Sequence, residues 1–226
     1  MEKCLISTLA LLLLHLFPAK CEKPLAPALY VFGDSLVDSG NNNFLVTYAK
    51  VNYTPYGIDF PGGSTGRFTD GKTGADFLAQ LLGLPMVPPY LGLSEAQKSK
   101  TLTGVNYASG SAGILRETGL ALGKNLCMKE QVKMFKKTVQ SYLSKNFKTQ
   151  EDLSQYLSKA IFVVSVGSND YINNYLQPQV GIYNSSLTYT AEQFGGLLVH
   201  RLKKYLTDLY NFGARKFIVY GIGSIG

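Results

Sequence analysis

Four short apolar runs, at residues 28–32, 104–108, 160–166 and 216–220, constrain this 226-residue chain more than any other feature. None alternates polar with apolar positions. Each therefore suits a strand buried on both faces, as in a parallel sheet covered by helices on both sides. Helical patterns occupy the intervals at 73–82, 128–143 and 191–209. Strands alternating with helices predict an α/β fold with a doubly wound parallel sheet. The length suits one domain, or two at most, with room for a sizeable core. No internal repeat or low-complexity tract interrupts the pattern, and 85–89 reads as a stiff proline loop.

Three of the runs end in polar turns that contain glycine. The first opens onto Gly33-Asp34-Ser35, the second onto Ser109-Gly110-Ser111, and the third onto Gly167-Ser168-Asn169-Asp170. Glycine and asparagine commonly punctuate such loops, but three of these turns on successive strands can converge at one sheet edge, where ligands bind in open α/β sheets. Ser35 is the candidate nucleophile there. Its hydroxyl needs a general base within hydrogen-bond reach and donors for a developing oxyanion. A neutral amide such as Asn169 can be one donor, worth about 3 kcal/mol of transition-state stabilisation. Asp34, Asp38 and Asp170 are expected to be weak bases at their usual pKa, with Asp34 and Asp170 tying loop backbones together.

The first 21 residues read as a targeting segment. Lys3 supplies a positive charge, residues 5–17 supply an apolar run, and Ala19-Lys20-Cys21 supplies a small-residue cleavage pattern. The run is shorter than the roughly 20 residues a membrane span needs. Cleavage is expected after Cys21, with Ala19 as the alternative, leaving residues 22–226 as a secreted domain with no transmembrane segment. Cys127 is then expected to be unpaired within the chain. Asn52-Tyr53-Thr54 and Asn184-Ser185-Ser186 are glycosylation sequons, and Asn184 is the better candidate because Pro55 follows the first. The formal charge of +7 is dispersed apart from a cluster at 129–148, which reads as a solvated helix face. With no zinc spacing, phosphate loop or RNA-binding signature, nothing points to a metal, a cofactor or a nucleic-acid partner.

The segments FGDSLVDSGNNN (32–43), PYGIDFPGGSTGRFTDGKTGADFLAQLLGLP (55–85), GVNYASGSAGI (104–114) and VGSNDYINNY (166–175) closely resemble, in order, the plant GDSL-type esterases and lipases of the SGNH hydrolase superfamily. The resemblance implies a flavodoxin-like three-layer α/β/α fold. It also implies hydrolysis of small-molecule carboxylic esters or lipids. It assigns Ser35 as nucleophile, with its own N–H, the Gly110 N–H and the Asn169 side chain as oxyanion donors. The family's late Asp-x-x-His element, which supplies the base and the carboxylate that orients it, has no counterpart before Gly226. The expectation is therefore a C-terminally truncated domain, lacking the last strand and closing helix and of low activity alone. A catalytically dead ester-cleft binding or interfering protein is the alternative. His200 reads as a solvated surface histidine rather than a replacement base: helical geometry turns it about 200° from Leu198 and onto the side of Lys203 and Lys204. The sequence leaves oligomeric state and substrate identity open.

Overall fold

The computed structural model describes residues 23–176 and 184–223, so the expected targeting segment lies outside the described residues. Three parallel strands form the sheet: β1 (Leu29–Gly33), β2 (Ile161–Ser165) and β3 (Lys216–Val219), in the order β1-β2-β3. Leu29 stands opposite Ile161 and Gly33 opposite Ser165, while Ile161 stands opposite Lys216. The helices are α1 (Gly74–Leu81), α2 (Glu95–Lys100), α3 (Met128–Lys137), α4 (Gln150–Lys159) and α5 (Ala191–Asn211).

The period-2 geometry of a strand sends successive side chains to opposite faces. Tyr30, Phe32, Phe162 and Val164 therefore enter one core with Met128 and Phe135 of α3, Leu157 of α4 and Phe194 and Leu209 of α5. Leu29, Val31 and Val163 enter a second core with Ala75 and Ala79 of α1. Helices thus cover both faces, and the architecture is the expected three-layer α/β/α.

The run at 104–108 departs from expectation. It lies alongside β1, donating Tyr107 N–H to Val31 O at 2.8 Å and accepting from Val31 N–H at Val105 O, 3.2 Å, but it makes single-residue bridges rather than a continuous strand. Asn106 bridges both Val31 and Pro89, and its amide donates to Val37 O at 2.6 Å while accepting from Ala108 N–H at 2.9 Å. Side-chain bonds of this kind compete with a regular ladder. Gly104 enters the run at φ 111°, and a Cβ there would lie 1.9 Å from Leu29 O.

Two helical expectations also change. The helix predicted over 128–143 is regular only to Lys137, then widens into a π turn at Thr138–Tyr142 and tightens into a 3₁₀ turn at Leu143–Asn146. Thr138 Oγ1 donates back to Met134 O and accepts from Tyr107 Oη at 2.8 Å, which perturbs the i to i−4 ladder at that point. Helix α4, like the short α2, lies outside the three helical patterns. Its signal is a Thr149/Asp152 capping box followed by Leu153 and Leu157 on one buried face.

Candidate active site

At the carboxyl end of β1 the chain leaves the sheet through Gly33, at φ 153°, where a Cβ would lie 2.1 Å from Ser165 O. Only glycine permits this approach. Asp34 N–H then donates to Ser165 O at 3.0 Å, and the Asp34 carboxylate accepts from Leu36 N–H at 3.0 Å, closing a tight turn around Ser35. Ser35 is partly buried, Leu36 is exposed, and the Ser35 hydroxyl makes no hydrogen bond to another described residue.

The second turn is stitched to the first. Ser109 N–H donates to Gly33 O at 3.1 Å, and Ser109 Oγ donates to Asn42 Oδ1 while accepting from Leu126 N–H at 3.0 Å. Asn42 Nδ2 donates to Gly110 O at 3.0 Å and to Ala49 O at 2.7 Å. The Gly110 N–H is engaged, donating to Asp38 Oδ2 at 3.1 Å. A Cβ on Gly110 would come within 2.4 Å of the Phe68 ring and 2.7 Å of Asn42 Nδ2. Ser111 follows in the left-handed region at φ 63°, a conformation a non-glycine residue holds at some cost.

The third turn joins the second. Asn169 Nδ2 donates to Ala112 O at 2.9 Å, leaving its other proton uncommitted among the described residues. The Asp170 carboxylate accepts from Ile114 N–H at 2.8 Å, Leu115 N–H at 2.9 Å and Thr118 Oγ1 at 2.7 Å. The turns carrying Ser35, Gly110 and Asn169 thus meet at one edge of the sheet, and Asp34 and Asp170 tie loop backbones as the sequence predicts.

The carboxylates are not at their ordinary pKa. Burial pushes Asp34, Asp38 and Asp170 up to about 6 each, against the lowering effect of the N–H groups they accept from. The negative charge of Asp170 adds to the rise at Asp34. This corrects the expectation of unperturbed acids. Even so, no described group is set to take a proton from Ser35. His200, the only histidine among the described residues, is exposed on α5. Among the described residues no group of histidine, cysteine and carboxylate side chains is arranged to hold a metal.

Two supporting features escaped the sequence reading. Gln131 of α3 is fully buried and bonded to both backbone groups of Gly33. Its signal is a lone amide on the apolar stripe of Met128, Val132 and Phe135. Arg67, also buried, forks onto Asp76 with Nε–Oδ2 at 2.7 Å and Nη2–Oδ1 at 2.9 Å, and donates to Ser39 O at 3.3 Å. Elsewhere, Asn52 is exposed, whereas Asn184 is partly buried and accepts from Ser186 Oγ at 2.8 Å. Cys127 is free and buried, and burial pushes its thiol pKa up.

The family model described as GDSL-like Lipase/Acylhydrolase matches residues 29–226. The chain belongs to this family. Among its relatives, GDSL esterase/lipase 7 of Arabidopsis thaliana is 51% identical over 205 residues, covering 90% of this chain and 55% of that protein. GDSL esterase/lipase At1g29660 of the same plant is 46% identical over 224 residues, covering 99% of this chain and 59% of that protein. The chain thus spans little more than half the length of these GDSL relatives.

Proposed function

We propose that this chain is a secreted serine ester hydrolase, acting on small-molecule carboxylic esters or lipids through an acyl-Ser35 intermediate, with low turnover from the described residues by themselves. One observation carries the reading: Ser35 is held in a tight turn at the end of a buried strand with its hydroxyl unengaged by other described residues. The relatives' names, esterase/lipase, support the ester class. Ser35 Oγ attacks the ester carbonyl carbon and the carbonyl electrons move onto oxygen, while the Oγ proton passes to water, which returns a proton to the departing alcohol oxygen. The Ser35 N–H and the second Asn169 Nδ2 proton stabilise that oxyanion. Gly110 joins them once its N–H turns from Asp38. The alcohol leaves, and water then cleaves the acyl-Ser35 ester. Turnover is low because His200 faces solvent and the carboxylates near Ser35 accept from backbone N–H groups. Loss of a base costs several orders of magnitude but leaves residual chemistry. Residues 1–21 are a removed signal peptide in this reading, residues 22–226 the hydrolase domain, and Asn184 and Asn52 its glycan sites. Among the described residues no helix is long and apolar enough to cross a membrane.

The test is reaction of the chain and of its Ser35→Ala variant with a fluorophosphonate probe and a short-chain aryl ester. The expected result is a covalent adduct mapped to Ser35 with slow ester turnover, both lost in Ser35→Ala. Turnover unchanged in Ser35→Ala would overturn the assignment. The lack of a base among the described residues also favours a second reading, a catalytically dead ester-binding protein. It predicts ester binding unaffected by Ser35→Ala and no adduct.

A further inference from the structure

We propose that Gln131 is the positioning residue of the nucleophile turn, a side-chain amide that replaces a missing peptide group beside β1; this rests on Ser35 being the nucleophile. The run beside β1 accepts from Leu29 N–H at Thr103 O (3.1 Å) and from Val31 N–H at Val105 O (3.2 Å). The same register would next pair Gly33 N–H with Tyr107 O. That bond is not made. Gly33 turns out of the sheet, and its N–H donates instead to Gln131 Oε1 at 2.8 Å. Gln131 Nε2 donates back to Gly33 O at 2.8 Å and to Leu126 O at 2.7 Å.

The side-chain amide thus gives and accepts one hydrogen bond with the same residue, as a neighbouring peptide would, and its remaining N–H is also satisfied. Gly33 O additionally accepts from Ser109 N–H. Leu126, whose carbonyl Gln131 holds, donates its N–H to Ser109 Oγ, which in turn donates to Asn42, the residue that holds Gly110 O. One buried amide therefore fixes the turn two residues before Ser35 and connects it to the Gly110 turn. An unpaired Gly33 N–H at this depth would be free to rotate the turn in search of a partner. A group in the nucleophile's place tolerates little displacement, since a 1 Å misplacement can cost about 100-fold in rate.

The experiment compares Gln131→Leu and Gln131→Glu with a core control, Val132→Ala, in the full chain. Two readouts are taken: the maximal rate and half-saturation of fluorophosphonate labelling at Ser35, and amide hydrogen exchange across residues 33–37. Gln131→Leu is expected to lower the maximal labelling rate at least tenfold with half-saturation unchanged, and to speed exchange at 33–37 without speeding it in β2. Gln131→Glu keeps the shape and an acceptor for Gly33 N–H but, as a carboxylate, loses both N–H donations, to Gly33 O and to Leu126 O, and is expected to slow labelling and speed exchange at 33–37 as well. Val132→Ala should lower the melting temperature and leave labelling of folded protein unchanged. Wild-type labelling rates in both Gln131 variants, or exchange at 33–37 that matches wild type, would overturn the proposal. If Gln131→Leu prevents folding, Gln131→Glu decides alone. A wild-type chain that gives no adduct counts against Ser35 as nucleophile, and exchange at 33–37 then decides the role of Gln131 by itself.

Discussion

Asp170 shows how one side chain can organise a loop. Its two oxygens accept from Ile114 N–H, Leu115 N–H and Thr118 Oγ1, all buried. Asparagine has the same outline but offers an NH₂ where two backbone donors converge, so at least one buried N–H loses its acceptor. Asp170→Asn is expected to cost about 1–3 kcal/mol of stability, measured by urea unfolding; a loss below about 0.5 kcal/mol would contradict this account. Asp170 was legible in the sequence as a loop tie because it directly follows a strand-end Gly-Ser-Asn. Gln131 was not. A polar residue within an apolar helical stripe gives no indication of which distant backbone it meets, and Gly33 lies 98 positions away in the chain. The engagement of Gly110 N–H by Asp38 was hidden for the same reason, since it depends on how two turns fold against each other.

Arg67 and Asp76 work at the level of the element. Desolvation alone would raise the Asp76 pKa, but the hydrogen bonds and charge of Arg67, together with Thr73, outweigh it and hold the carboxyl below its ordinary value. The same carboxylate accepts from Thr73 N–H at 2.8 Å and so caps α1. Arg67→Met would leave Asp76 buried without its partner, a change that typically costs about 3–5 kcal/mol. The expected sign is a large fall in melting temperature with loss of order across 65–76 by hydrogen exchange; a melt within about 2 °C of wild type, on the order of ±0.5 kcal/mol, would contradict it. At this scale the strands were the most readable parts. β1 and β2 are buried and mostly apolar, as strands covered on both faces are. β3, the edge strand of the described sheet, departs from that expectation with Lys216 and Val219 exposed, although all three strands fall within a residue or two of the expected bounds. Where side chains rewrite the backbone, as Asn106 does beside β1 and Thr138 does at the end of α3, periodicity alone could not show it. Helix α4 was missed because its capping box sits in a polar stretch whose apolar face is narrow.

The buried acids set the behaviour of the whole molecule toward pH. Asp34, Asp38 and Asp170 titrate near 6 when folded, against about 3.9 for an unfolded aspartate. Between these values the folded chain binds more protons than the unfolded chain, so its stability falls as pH rises. The contribution is fully present below about 4 and is lost as pH rises through about 6, by up to roughly 1.4 kcal/mol per pH unit for each group. Asp76 acts in the opposite direction, but only between its own lowered pKa and the unfolded value of about 3.9, outside the pH 4–6 window. The expectation is a higher melting temperature at pH 5 than at pH 7.5, and a triple Asp→Asn variant whose melt no longer depends on pH in that window. A melt that falls steadily from pH 7.5 to pH 5 would contradict it.

The close approach of Gly104 to Leu29 O bears on how a mutational scan of this chain should be scored. With Ser35 as the proposed nucleophile, a scan that counts surviving activity would rank Gly104 beside it, since any side chain at Gly104 drives a carbon into the β1 backbone. The two kinds of essential position part company once abundance is counted as well. Cells carrying changes at Gly104 should hold little of the protein, whereas those carrying Ser35→Ala should hold as much as wild type and show no adduct. Intolerance to substitution, taken alone, would place a backbone contact in the catalytic set.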